Sequence, residues 1–157
     1  MIPQGTIVDR PPRLLAQLAG IPKTLQYKVA AIGFKHLTRG KLQKARGIFQ
    51  GLAELDPYDA WFQLALGSVA QREGNLPEAD AAYSRALKLN PNGIAAFANR
   101  GEVRLLAGRR EEGMADLRRA VSLDRSGRDP NAMRARAVIE AMKRQPAMQP
   151  APQPAAR

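Results

Sequence analysis

The feature that most constrains this chain is a period. Gly33, Gly67 and Gly101 are spaced by 34 residues, and Gly40, Gly74 and Gly108 repeat the interval without a slip. With units set at 26–59, 60–93 and 94–127, five further columns fall into line. They are Ala45/Ala79/Gly113, Phe49/Tyr83/Leu117, Leu52/Ala86/Ala120, Leu55/Leu89/Leu123 and Pro57/Pro91/Arg125. Seven columns at one interval do not arise by chance, so three copies of one structural unit follow one another.

Each column has a physical reason. Gly in mid-helix costs roughly 1 kcal/mol relative to Ala, so the first Gly column predicts a close approach by a neighbouring helix. The second Gly column follows a helical stretch and suits the left-handed conformation after a helix end. Small Ala columns alternate with the large Phe49/Tyr83/Leu117 column, as interlocking helix faces require. Pro57 and Pro91 stop the second helix of their units, because the ring removes a donor and clashes one turn back. Asn75 with Leu76-Pro77-Glu78 reads as an N-cap with Pro near the first helical position. The pattern predicts helices at 26–39, 42–55, 60–73, 76–89, 94–107 and 110–123. A seventh starts at Asp129-Pro130 and runs to about Arg144, with Met133, Ala137 (or Val138) and Ala141 on one face. It has the place of a cap over the exposed apolar end.

Composition agrees with helix: 18 of the 25 cations are Arg, 27 residues are Ala and 17 are Leu, in a chain of 157 residues that fits one domain. There is no cysteine, so disulfides, thiolate metal sites and thiol catalysis are excluded. A lone histidine, His36, leaves little for a metal site or a His-based triad; a packed structural role is expected for it. Phosphate loops, nucleophile elbows and recognisable carboxylate pairs are missing. The expectation is a protein that is not an enzyme, with no catalytic residues, cofactor or metal. No segment reaches the roughly 20 apolar residues of a membrane span, and the N-terminus lacks a basic region followed by a long apolar run, which makes the cytoplasm the default compartment.

The unit resembles the tetratricopeptide repeat, a helix–turn–helix module of 34 residues; Leu66-Gly67, Gly74, Ala79, Tyr83, Ala86 and Pro91 all sit at motif positions. The outer units are looser, with Leu52 where a small residue is expected, and Gly113 and Arg125 in place of Ala and Pro. The fold implied is an all-α, right-handed solenoid of three repeats with a C-terminal capping helix. Residues 1–25 form an N-terminal segment with a short helix at 13–19, 128–145 form the cap, and 146–157 form a Pro/Ala/Gln tail expected to be disordered.

A narrower resemblance lies in Leu55-Asp56-Pro57-Tyr58-Asp59-Ala60-Trp61-Phe62-Gln63-Leu64-Ala65-Leu66-Gly67. It is similar to the joint between repeats one and two in type III secretion chaperones of the translocator class. That resemblance implies a chaperone-like adaptor, part of a secretion or assembly system, holding an extended apolar client protein or peptide segment in a concave groove. Groove positions are then Tyr27, Ala30, Phe34 and Leu37 in repeat one. Trp61, Leu64, Ser68 and Gln71 follow in repeat two, and Ala95, Ala98, Glu102 and Leu105 in repeat three. Ala30, Leu64 and Ala98 stand where a carboxylate clamp needs polar groups, so no clamp is expected. Trp61 is the favoured anchor, with core packing as the alternative. Asp56, Tyr58 and Asp59 are expected to make a turn and cap the next helix.

Leu14, Leu15 and Leu18 cover one side of a helix too short to stand alone. They pack either on repeat one or on a second copy, and the resemblance implies a homodimer through residues 13–19. The net charge of +11 is spread out, with +3 in repeat one, zero in repeat two and +2 in repeat three. In repeat one Lys28, Lys35, Arg39, Lys41, Lys44 and Arg46 meet few acids. This favours a second reading, a basic adaptor docking on nucleic acid or an acidic ribonucleoprotein surface.

Overall fold

Helix ends fall where the periodic glycines stand. The computed structural model describes residues 20–144 and contains seven helices among them. These are α1 (Lys23–Thr38), α2 (Leu42–Leu55), α3 (Ala60–Arg72), α4 (Leu76–Leu89), α5 (Ile94–Leu106), α6 (Arg110–Leu123) and α7 (Pro130–Arg144). Gly40, Gly74 and Gly108 have φ of 71°, 78° and 78°, the left-handed conformation that turns the chain between the two helices of a repeat. Asn75 caps α4 by accepting from the Glu78 N–H, and Asp59 caps α3 by accepting from the Trp61 N–H. The first helix begins at Lys23, three residues before the expected start, with the extended Pro22 as its N-cap. The short N-terminal helix expected at 13–19 and the tail at 146–157 lie outside the described residues.

Each helix packs on the next, and α1, α3, α5 and α7 also meet in sequence. The first helices of the repeats therefore form one layer and the second helices another, giving an all-α solenoid. Its core is set by the glycine column under the large column. A Cβ on Gly67 would lie 2.5 Å from the Tyr83 ring, and one on Gly101 would lie 2.8 Å from Leu117 Cγ. Phe49, Tyr83 and Leu117 are fully buried as a result. Burial pushes the Tyr83 hydroxyl up to about 12, and that hydroxyl donates to Gln71 Oε1 at 2.7 Å.

Two expectations are corrected. The packing face of α7 is Ala132, Ala135 and Ile139 with Val138 partly buried beside them, while Met133, Ala137 and Ala141 are exposed. The helix is turned so that Ala135 and Ile139 join Ala98 and Leu117 in one apolar cluster. This face is the one that packs because α7 approaches both α5 and α6. Arg46 is also not short of acids: its guanidinium binds Glu73 and Glu78, both in the next repeat. Further along, Arg104 reaches Asp80 at 2.7 Å and Asp116 at 3.0 Å, and Arg100 reaches Asp116 at 2.7 Å. Arg46 and Arg104 thus each pair with an acid of a neighbouring repeat, whereas Arg100 pairs within its own.

Candidate functional site

The α3 sequence places Trp61, Leu64, Ser68 and Gln71 at successive turns of one face, alongside the buried stripe of Phe62, Ala65 and Val69. Trp61 is 37 % exposed and sits at the head of this face. Its ring lies 6.1 Å from that of Tyr27 on α1, edge to face, and 5.9 Å from the buried Phe49 and from Phe62. Trp61 is thus both seated on the core and open on one side. Tyr27 and Phe34, two turns apart on α1, are about half exposed. These rings make an apolar strip across the first two repeats.

The joint between repeats one and two fixes this strip. Asp59 accepts from Lys23 Nζ at 2.7 Å, from the Tyr27 hydroxyl at 2.8 Å and from the Trp61 N–H at 2.9 Å. Burial opposes its charge, but these donors outweigh burial and hold the carboxyl below its ordinary value of 3.8. Lys23 also pairs with Asp56 at 2.6 Å, and Asp56 accepts from the Tyr58 N–H. The acids of the joint therefore make the turn and the cap, and in addition they lock the tyrosine and, through the backbone, the tryptophan. Lys23 was not legible as part of the site, because it lies outside the repeat unit.

Beyond Trp61 a cleft of about 340 Å³ opens between the first turns of α3, α5 and α7. Trp61, Leu64, Ile94 and Ala95 supply apolar walls, and Asn90 and Asn131 stand among its polar ones. Leu64 and Ala95 are expected groove positions; Asn90 is the C-cap of α4 and Asn131 lies in the first turn of α7, and only the packing of α7 brings Asn131 there.

The remaining groove positions divide. Ala30, Leu37 and Ala98 are buried, Ala30 and Leu37 in a cluster with residues of α2 and α3, and Ala98 in one with residues of α6 and α7. Ser68 is half-buried and donates to the Leu64 carbonyl. Gln71 is engaged by Tyr83. Glu102 accepts from Arg134 of α7 at 2.7 Å, which ties the third repeat to the cap. Leu105 is half-buried and packs with the cluster beneath α7. His36 is half-buried, and its Nδ1 has no hydrogen-bond partner among the described residues.

The tetratricopeptide repeat family model matches residues 58–92, the middle repeat with the joint before it. PcrH from Pseudomonas aeruginosa is 30 % identical, with TM-score 0.73 over 82 % of this chain and 99 % of that one. PcrH solved with the chaperone binding region of PopD is 28 % identical, with TM-score 0.72 over 80 % of this chain and 96 % of that one. The Yersinia enterocolitica type III secretion translocator chaperone SycD is 26 % identical, with TM-score 0.74 over 81 % of this chain and 96 % of that one. SycD has also been solved as an alternative dimer. Comparison with curated protein sequences gives no match. The chain belongs to the tetratricopeptide repeat family, whose stacked helix pairs the fold displays. Within that family it resembles the translocator chaperones of type III secretion.

Proposed function

We propose that this chain is a peptide-binding, chaperone-like adaptor that holds an extended apolar segment of a client protein along Tyr27, Phe34, Trp61 and Leu64. The observation that carries this reading is Trp61: braced by Phe49, Phe62 and Tyr27, it presents a partly open ring beside a cleft. A rigid, half-open aromatic beside a pocket is the usual form of a binding hot spot. PcrH, of similar structure, binds the chaperone binding region of PopD, which supports a translocator-like client for this chain.

Binding, rather than catalysis, is the proposed activity, in the cytoplasm and ahead of secretion or assembly. No helix among the described residues is long and apolar enough to cross a membrane. Self-association belongs to the same reading, supported by the SycD dimer. The nucleic-acid reading gains no support from the structures this chain resembles, and of the six cations in repeat one that suggested it, Arg46 is engaged by Glu73 and Glu78.

The test uses a peptide spanning the PopD chaperone-binding region and the emission of Trp61, the only tryptophan. Titration is expected to move the emission to the blue with a saturable curve. An emission that does not change, together with no heat in calorimetry, would overturn the groove reading.

A further inference from the structure

One contact recurs along the solenoid: the first helix of a repeat lies on the second helix of the repeat before. Arg100 Nη1 on α5 donates to Ser84 Oγ on α4 at 2.9 Å. Ala86 and Leu87 of α4 cluster with Ala96, with Phe97 packed against them. One period earlier Leu52 and Ala53 of α2 join Phe62 of α3. The residues two periods before Ala96, Phe97 and Arg100 are Lys28, Val29 and Ile32 on α1. No described helix precedes α1 to cover this flank, and Ile32 is 51 % and Leu25 47 % exposed.

The chain before Gly20 lies outside the described residues, yet its sequence continues the period. Leu14, Leu15, Leu18 and Ala19 stand one unit before Ile48, Phe49, Leu52 and Ala53. The last two of these columns are the ones that meet the next repeat. The link is also of the right length. Gly20, with φ of 62°, Ile21 and Pro22 lead into α1, against residues 56–59 and 90–93 at the other joints between repeats.

We propose that residues 13–19 take the place of the second helix of a preceding half-repeat on their own chain, with Leu18 and Ala19 against Val29 and Ala16 against Ile32. That segment then seals the N-terminal end of the core as α7 seals the other.

The absence of native cysteine makes the test direct. In the full chain, Ala16→Cys/Ile32→Cys is compared with Ala16→Cys/Ala31→Cys under mild oxidation. The two pairs have nearly equal tethers, but Ala31 points about 100° away round the helix, and a disulfide needs Cα atoms within about 7 Å. The first pair is expected to close at monomer mass at least about tenfold faster, at a rate independent of protein concentration, the ratio for a preference of roughly 1.4 kcal/mol. Equal rates for the two pairs overturn the docking. A bond joining two chains, with a yield that rises with concentration, overturns it in favour of a second copy. Leu18→Asp supplies a separate reading: α1 amides should exchange faster while sedimentation is unchanged, and unaltered exchange counts against the proposal. None of these measurements involves a client, so they stand or fall apart from the groove.

Discussion

Trp61 holds two roles that one substitution separates. As an anchor, its loss is expected to cost about 2 kcal/mol or more of binding, a weakening of roughly 30-fold for the PopD-region peptide. A tryptophan wholly in the core would instead cost about 3–5 kcal/mol of stability when cut to alanine. The ring is partly open, so Trp61→Ala should leave thermal unfolding much less affected than affinity. The reverse pattern would make it a core residue. Glycines give a second prediction, in which the sign differs within one residue type. Gly67→Ala drives a Cβ into the Tyr83 ring, and overpacking of this kind costs about 1–3 kcal/mol, more than the helix propensity it gains. Gly47 and Gly51, on the exposed side of α2, have nothing within 4 Å of an added Cβ. Alanine there should stabilise by up to about 1 kcal/mol. Denaturant melts of the three variants check both signs.

At the scale of elements, the joints are where the repeats become one body. Arg104 of α5 sits between Asp80 of α4 and Asp116 of α6, and its side chain and that of Asp116 are largely buried. Removing one partner from a buried ion pair leaves an uncompensated charge, at a cost of about 3–5 kcal/mol. Arg104→Leu still leaves Asp116 with Arg100 and Asp80 with Arg109, so the expected loss is smaller, about 2 kcal/mol. A loss within a few tenths would mean that the acids rearrange to water. The cap matters differently. Ending the chain at Asp129 removes Ala135 and Ile139 from the cluster with Ala98 and Leu117. Light scattering should then report aggregation, whereas ending it after Gln145 should leave helicity and melting unchanged.

For the molecule as a whole, acid is the informative perturbation. Asp59 is held below 3.8, where hydrogen bonds from Lys23 and Tyr27 prevail over the burial that opposes its charge. Glu78 is held below 4.5 chiefly by the hydrogen bond from Arg46. Asp80 is likewise held below 3.8 by Arg104 and Arg109, again against burial. Carboxyls with depressed folded values contribute stability above their ordinary values, and that contribution is lost as pH falls through the lower folded ones. The melting temperature should be nearly level above about pH 5 and fall steeply below about pH 4. Glu78→Gln should flatten part of that fall. Salt gives the complementary result: an apolar groove should keep its peptide affinity between low and moderate salt, whereas phosphate-dominated binding would drop by orders of magnitude.

The period was enough to place helix ends to within a few residues, because glycine and proline act on their own backbone and need no neighbour to do so. The family resemblance, rather than the period, marks Trp61, Tyr27 and Phe34 as groove positions, and all three rings are partly exposed. What the period did not reveal is how each side chain divides between core and surface. Ala30, Leu37 and Ala98 share the groove register with Trp61 yet are buried, because residues of the neighbouring helices pack over them. The face of α7 was misread for the same reason: its pattern admits two stripes, and only contact with α5 and α6 selects Ala132, Ala135 and Ile139. The pairing of Arg46 with Glu73 and Glu78, and the cleft that Asn131 completes, join residues far apart in sequence. Local chemistry is written in the order of residues, but burial, charge pairing and the shape of a cleft depend on distances that exist only once the repeats have stacked.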